Sequence, residues 1–279
     1  MSTFSVYGYG KPTYGFFDDL LYRAHIPSTP TWYIAWGNGG TLVVGDLSNT
    51  KSSMNTEVTR SAATITRTNT TQTNDTLTLT VTFSPTGDQV GKTMNELGVY
   101  DAASGGNMRW WGFPWLEPDG LSGITIATGD TVAVTIEWNA KQESTSSGLT
   151  NVGMAALTAL WGNVSSPAGM TYIAYGTGTT AESAALTTLT TEVARVAATF
   201  SKESVYGTND TLKWTATHTA ASGTVETPLT VTEIGVFDDP TTGIMLFRKL
   251  AASPRGFIIG QKVGMLAKAT LKDGGVNFS

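Results

Sequence analysis

The stretch NELGVYD at residues 95–101 returns as TEIGVFD at residues 232–238. In both copies, here called the heptads, a carboxylate is followed by an aliphatic residue, a glycine, an aliphatic residue, an aromatic residue and Asp. A chance match would leave the flanking sequences unrelated, so the flanks test whether the chain repeats itself.

The flanking sequences repeat in the same order as the heptads. Residues 31–39 (TWYIAWGNG) match residues 170–178 (MTYIAYGTG). Shorter matches join TEVTR at 56–60 to TEVAR at 191–195, NDTL at 74–77 to NDTL at 209–212, and GNM at 106–108 to GIM at 243–245. Because the order and the spacing agree, the sequence predicts a tandem duplication of a unit of about 140 residues, a normal domain size.

The repeats also predict the domain boundaries. An N-terminal arm at residues 1–14 precedes a first unit at 15–140 and a second unit at 149–279. Residues 141–148 lie in a polar, Ser-rich stretch that is typical of a linker.

Hydrophobic periodicity indicates the fold class. In residues 76–83 (TLTLTVTF), Thr alternates with Leu, Val and Phe, which predicts a strand with one face in the core and the other in water. Residues 151–162 carry helical spacing between Asn151, a possible cap, and Gly162, and residues 16–23 sit at the equivalent place in the first unit. We therefore expect an all-β protein with two tandem β-sandwich-like domains, each with one short helix, preceded by the arm.

Composition excludes several classes of function. Charged residues make up 14% of the 279-residue chain, and the net charge of −5 gives no basic surface for nucleic acid. The chain has no Cys, so it offers neither a disulfide nor a thiolate metal site. The N-terminus has no apolar core of a secretion signal, and no stretch approaches the roughly 20 apolar residues of a membrane helix. We expect no nucleic-acid and no membrane partner.

Motifs for catalysis are weak. His25 and His218, the two histidines, lie in no nucleophile motif, and residues 87–93 (GDQVGKT) are one residue short of a phosphate-binding loop. Because the acidic residues of the heptads recur while nearby loops differ, we interpret them as structural rather than catalytic or calcium-binding. We expect no enzyme and no cofactor.

Two ion pairs are predicted around the heptads. Glu96 recurs together with Arg60, and Glu233 recurs together with Arg195. A charge-assisted pair between these residues would hold one strand against another in each unit.

Aromatic residues are the main departure from internal symmetry. Residues 109–116 (RWWGFPWL) contain three Trp and one Phe, whereas the second unit has a single aromatic at the corresponding place. Such a loop is typical of a subunit or partner interface, of intramolecular packing, or of a carbohydrate-stacking platform. The N-terminal segment invites the interface interpretation as well, as an arm that orders against a neighbour. The predicted interface residues are Tyr7, Tyr9, Phe16, Phe17, Trp110, Trp111, Phe113 and Trp115.

Residues 171–195 (TYIAYGTGTTAESAALTTLTTEVAR) and 232–250 (TEIGVFDDPTTGIMLFRKL) resemble a recurrent module of tailed-bacteriophage virion proteins. That module carries a Y-x-A-x-G-x-G-T strand, a T-E-V-x-R element and a T-E-x-G-hydrophobic-aromatic-D turn. The resemblance covers residues 149–279 closely and residues 15–140 less well.

The resemblance implies a non-enzymatic virion component that is made in the host cytoplasm. Together with the aromatic segments it favours a capsid decoration, or cement, protein whose partners are the major capsid protein and other copies of itself, with a trimer implied by the resemblance alone. The alternatives are a tail, baseplate or fibre-adaptor component with tail proteins as partners, and a carbohydrate-binding module that uses residues 110–115.

Overall fold

The computed structural model describes residues 3–12, 31–39, 51–68, 76–116, 120–121, 123–139, 150–162, 169–204, 211–219, 229–258, 260–272 and 275–278. Residue contacts divide the chain into two compact units. The first contains the described residues up to Trp138, and the second contains those from Asn139 onward. The helix predicted at residues 16–23 lies outside the described residues.

The first unit is built from strands in its described part. They are β1 (Thr3–Pro12), β2 (Tyr33–Gly37), β3 (Glu57–Ala62), β4 (Thr64–Thr68), β5 (Thr76–Phe83), β6 (Thr93–Met94), β7 (Glu96–Tyr100), β8 (Met108–Leu116), β9 (Gly120–Leu121), β10 (Ile124–Thr125) and β11 (Thr131–Asn139). Hydrogen bonding connects them in the order β3-β2-β7-β8-β1-β11-β5-β4, with β9 added to β8. Strands β6 and β10 form a separate ladder.

The N-terminal strand β1 lies inside this sheet. Its first half runs parallel to β11, and its second half runs antiparallel to β8. Tyr7 lies at the change of partner, opposite both Thr135 and Trp115. The prediction of an arm at residues 1–14 that orders against a neighbour is therefore wrong for β1, because its backbone hydrogen bonds are made within the first unit.

The second unit contains the helix α1 (Asn151–Gly162) and two four-stranded sheets. Its strands are β12 (Tyr172–Gly176), β13 (Glu192–Ala197), β14 (Thr199–Glu203), β15 (Thr211–Thr219), β16 (Leu229–Phe237), β17 (Met245–Phe257), β18 (Lys262–Lys272) and β19 (Gly275–Phe278). The sheet orders are β13-β12-β16-β17 and β14-β15-β18-β19. This all-β, sandwich-like architecture confirms the predicted fold class.

The helix of the second unit is capped one residue earlier than the sequence indicates. Thr150 Oγ1 accepts a hydrogen bond from the backbone N–H of Gly153 at 2.9 Å, which makes Thr150 the N-cap in place of Asn151. The backbone N–H of Thr150 also donates to the carbonyl of Leu246 at 3.1 Å. The cap thus fixes the start of the helix against β17.

Each unit contains a four-stranded arrangement with the same strand order and the same register. Strands β3-β2-β7-β8 and β13-β12-β16-β17 have the same order. Tyr33 lies opposite Tyr100, and Tyr172 lies opposite Phe237. An irregularity follows residue 36 in the first sheet and residue 175 in the second. The heptads form β7 and the C-terminal part of β16 at equivalent places, while gene duplication as their origin stays a prediction.

Strand β5 departs from simple alternation. Leu77 and Leu79 are fully buried. Thr76 and Thr78 are nearly buried as well, with 1% and 7% of their surface exposed. The start of this strand is therefore covered on both faces, contrary to the predicted half-buried strand. A buried threonine hydroxyl needs a hydrogen-bond partner. Thr78 Oγ1 has one in Thr68 Oγ1, at 3.3 Å.

No helical segment within the described residues combines the length and hydropathy that crossing a lipid bilayer requires.

Candidate functional site

The heptad glutamate of the first unit, Glu96, is a buried anchor. Its side chain is fully buried, and its carboxylate accepts hydrogen bonds from the backbone N–H groups of Asn55 at 3.0 Å and Thr56 at 2.7 Å. The indole Nε1 of Trp111 donates to it at 3.2 Å. Hydrogen bonds to a carboxylate are stronger than those between neutral groups. Glu96 on β7 therefore holds two neighbouring segments in place, namely the residues that lead into β3 and the strand β8.

Glu233 occupies the equivalent place in the second unit. It is also fully buried, and its carboxylate accepts backbone N–H groups from Gly178, Thr190 and Thr191 at 3.1, 3.2 and 2.8 Å. Arg248 Nε donates to it at 2.6 Å, and the Arg248 side chain is only 1% exposed. Burial raises the pKa of Glu233, but the hydrogen bonds from Thr191 and Arg248 outweigh burial, so this pKa lies below its ordinary value of 4.5.

The lowered pKa of Glu233 predicts an acid-dependent loss of stability. The carboxylate stabilises the folded second unit above pH 4.5, and this contribution is lost as the pH falls through the lowered pKa of the folded state. In urea unfolding we expect the difference between wild type and Glu233→Gln to be full at pH 7 and to shrink below pH 4. Glu137→Gln, at an exposed position, controls for the loss of one charge. A difference that is the same at pH 7 and pH 3 would contradict the assignment.

Two glycines in each unit make room for the buried carboxylate. A Cβ atom on Gly37 would lie 2.3 Å from the carbonyl oxygen of Thr56, and one on Gly176 would lie 2.2 Å from that of Thr191. The same added atoms would approach the Glu96 and Glu233 oxygens to 2.8 and 2.6 Å. A Cβ atom on Gly39 or on Gly178 would likewise lie 2.8 or 2.5 Å from the same oxygens. The G-x-G at the end of each YIAWG-like strand is therefore required by the buried carboxylate.

The donor that reaches the carboxylate from the next strand differs between the units. Trp111 on β8 lies opposite Gly98, and Arg248 on β17 lies opposite Gly235 at the matching register. An indole N–H in one unit and a guanidinium in the other thus reach the same acceptor. At this position, the aromatic residue of the first unit and the arginine of the second unit are alternative hydrogen-bond donors to the same buried carboxylate.

The predicted pair between Arg60 and Glu96 is wrong. Arg60 instead bonds Glu57 through two contacts, at 2.7 and 2.6 Å, and lies 3.6 Å above the ring of Tyr100. The register explains the error, because Arg60 and Glu96 are opposite different residues of β2, namely Ala35 and Gly37. Arg60 reaches over Tyr100 to the carbonyls of residues 102 and 105 and so supports the turn after the heptad.

The predicted pair between Arg195 and Glu233 is wrong for the same reason. Arg195 bonds Glu192 at 2.9 and 2.8 Å and lies 3.5 Å above the ring of Phe237. Its guanidinium also donates to carbonyls at residues 239 and 242, in the turn after the second heptad. Each unit therefore has two separate devices, a buried carboxylate and an arginine stacked on the heptad's aromatic residue.

The aromatic stretch of the first unit is a buried strand and not an exposed loop. Trp110, Trp111 and Phe113 are 8%, 3% and 1% exposed. Trp111 and Phe113 meet edge to face at 5.0 Å, in a cluster with Met54 and Tyr100. This is the intramolecular-packing alternative, so these three side chains are covered within the first unit and do not offer a contact or sugar-binding surface.

The other predicted interface residues are described only in part. For Trp115, Tyr7 and Tyr9 the backbone pairing is described. Phe16 and Phe17 lie outside the described residues. Their roles in an interface stay predictions.

The second unit has a groove of about 500 Å³ between β17 and β18. Residues 249–253 of β17 and 263–266 of β18 line it, together with aliphatic side chains of β16. Leu266 is 51% exposed there, although it is a large apolar residue. At the rim, Glu182 accepts the backbone N–H of Leu250 at 3.0 Å. In the part of the chain that the structure describes, no three His, Asp or Glu side chains are placed to hold a metal ion.

One comparison with known proteins gives a match. Residues 149–271 match the model of a family described as podophage GP4 fiber I protein gp80. The match covers less than half of the chain and lies within the second unit. No curated protein and no solved structure gives a significant match. The family match supports the resemblance found in the sequence, that of a structural protein of a phage virion.

Proposed function

We propose that the protein is a non-enzymatic structural component of a phage fibre. The observation that carries this proposal is the match of residues 149–271 to a podophage fibre family. This match favours the tail, baseplate or fibre-adaptor alternative over capsid decoration.

The geometry of the heptads supports a structural role. Glu96 and Glu233 are fully buried, and their oxygens accept hydrogen bonds from backbone N–H groups and from side chains, Trp111 for Glu96 and Thr190 and Arg248 for Glu233. A general acid or base needs access to a substrate proton, which a carboxylate enclosed in this way lacks. The carboxylates that recur in both units thus act as scaffold.

Capsid decoration loses one of the features on which the sequence-based hypothesis relied, the aromatic loop. That hypothesis relied on an exposed aromatic loop docking on the major capsid protein, whereas Trp110, Trp111 and Phe113 are buried in β8. Decoration, a homo-oligomer and a trimer remain untested predictions.

Fractionation of purified particles tests the proposed function. Particles are dissociated into heads and fibre-bearing tails, and the chain is quantified by mass spectrometry in each fraction. We expect it in the fibre-bearing fraction at a fixed ratio to known virion proteins. Recovery with heads alone would favour decoration, and absence from washed particles would overturn a virion role.

A further inference from the structure

The two units differ in one strand. In the first unit, β1 lies between β8 and β11 and hydrogen bonds to both. In the second unit, among the described strands, none lies between the equivalent strands β17 and β18. The β17 strand ends one sheet, and the outer neighbour of β18 is β19, which pairs only with residues 269–272.

The equivalence of the flanking strands follows from register and burial. Gly98 lies opposite Trp111 and Gly235 lies opposite Arg248, so residues 110–113 of β8 correspond to 247–250 of β17, where a register shift begins. Along β11 the buried residues are 132, 134 and 136, and along β18 they are 263, 265, 267 and 269. Aligned from the first buried residue of each strand, residues 131–135 correspond to 262–266.

The groove lies where β1 would be. In the first unit, β1 pairs with residues 110–115 and 131–135. The matching residues of the second unit, 249–250 and 263–266, are among those that line the groove.

At the edge of β17, a side chain accepts a backbone hydrogen bond at the position where the first unit has a neighbouring strand. In the first unit, Phe113 lies opposite Tyr9 of β1. At the equivalent residue of the second unit, Leu250, the backbone N–H donates to the carboxylate of Glu182. Edge amides require an acceptor, and a side chain that supplies it blunts the edge without filling the sheet.

We propose that this groove accepts an extended strand from a partner protein, by addition to the edges of β17 and β18. Such strand addition derives affinity from main-chain hydrogen bonds and specificity from pockets for alternate side chains. The lining is mainly apolar, and of its charged residues Glu182 and Lys249 are paired with each other at 3.5 Å, while Arg255 also lines the groove. Such a groove fits a largely uncharged segment in which small residues alternate with aliphatic or aromatic ones. Residues 3–12 (TFSVYGYGKP), which fill the equivalent position of the first unit, have this chemistry over most of their length. The inference does not depend on the fibre assignment.

A partner protein is a better occupant than a second copy of this chain. The chain's own β1 is tethered to the first unit, and a short tether gives an effective concentration of about millimolar for refilling that position. A second copy that donated β1 would empty an equivalent position of its own, so little net stabilisation would result.

Binding of a synthetic peptide to the full chain tests the proposal. The probe is fluorescently labelled TFSVYGYGKP, titrated to 1 mM. Val263 lines the groove, and the alternation of burial along β18 places its side chain on the groove side, so Val263→Phe is expected to fill the groove and to weaken binding at least tenfold while its circular dichroism stays that of the wild type. Ser201→Phe, at an exposed position of β14 on the far edge of the same sheet, is the matched control and is expected to bind like wild type.

Hydrogen exchange locates the bound peptide. Protection at residues 249–253 and 262–266 is expected. The proposal is overturned if no binding occurs, if Val263→Phe binds like wild type, or if protection appears at 110–115 and 131–135 instead. Self-association of the wild type that Val263→Phe abolishes would assign the groove to a second copy and overturn the choice of a partner protein.

Discussion

Replacing Arg248 by Met is expected to lower the free energy of unfolding of the second unit by about 3–5 kcal/mol at pH 7. The variant leaves the Glu233 carboxylate buried without its ion pair, and both side chains are 1% exposed or less. Met keeps a similar length, so the lost charge dominates over lost packing. Urea unfolding, with hydrogen exchange of β12 and β16 to locate the loss, measures the effect.

Lys268→Met is the matched control for Arg248→Met. Lys268 and Glu203 also form an ion pair, at 2.6 Å, but about a third of each side chain is exposed, 31% in both. Solvent screens an exposed pair of this kind, so the expected loss is small. Equal, small losses for the two variants would contradict the view that the buried pair anchors the second unit.

Replacing Glu96 by Ala is expected to destabilise the first unit by about 3 kcal/mol or more, because each buried donor without an acceptor costs about 1–3 kcal/mol. Three donors lose their acceptor, namely the backbone N–H groups of Asn55 and Thr56 and the indole of Trp111. We expect a lower urea midpoint and faster hydrogen exchange at residues 54–56.

Glu57→Ala is the control that removes the ion pair of Arg60 in the same unit and leaves the Glu96 carboxylate in place. Glu57 bonds Arg60, but its side chain is 29% exposed, so the expected loss is below about 1 kcal/mol. A larger loss for Glu57→Ala than for Glu96→Ala would show that the Arg60–Glu57 pair, and not the buried carboxylate, holds the sheet.

Local pattern was enough to predict the strands and the helix. The heptads predicted equivalent strands, and β7 and β16 occupy equivalent places with the same cross-strand neighbours. The helical spacing of residues 151–162 predicted α1 over the same residues. These features depend on side-chain periodicity, which is written into contiguous sequence.

The partners of the buried carboxylates could not be predicted in this way. Arg60 recurs with Glu96 because both serve the same scaffold, and recurrence does not distinguish direct contact from a shared fold. The true partner of Glu96 on β8, Trp111, is replaced by Arg248 in the second unit, so matching the two copies hides it. The register of β7 against β8, and of β16 against β17, shows that Trp111 and Arg248 lie at equivalent places beside the heptads.

The place of β1 depends on long-range pairing. Its partners lie about a hundred residues away along the chain, and the Gly- and Tyr-rich segment has no internal counterpart to compare with. A strand that completes a distant sheet and an arm that binds a neighbour share the same local signature, because both are extended and half-apolar.

Electron cryo-microscopy of purified phage particles with and without this chain tests the structural role most directly. A fibre component predicts that the difference density lies in the fibres or at their attachment, with the capsid shell unchanged. Difference density spread over the shell, or particles of identical structure whether or not the chain is made, would contradict it.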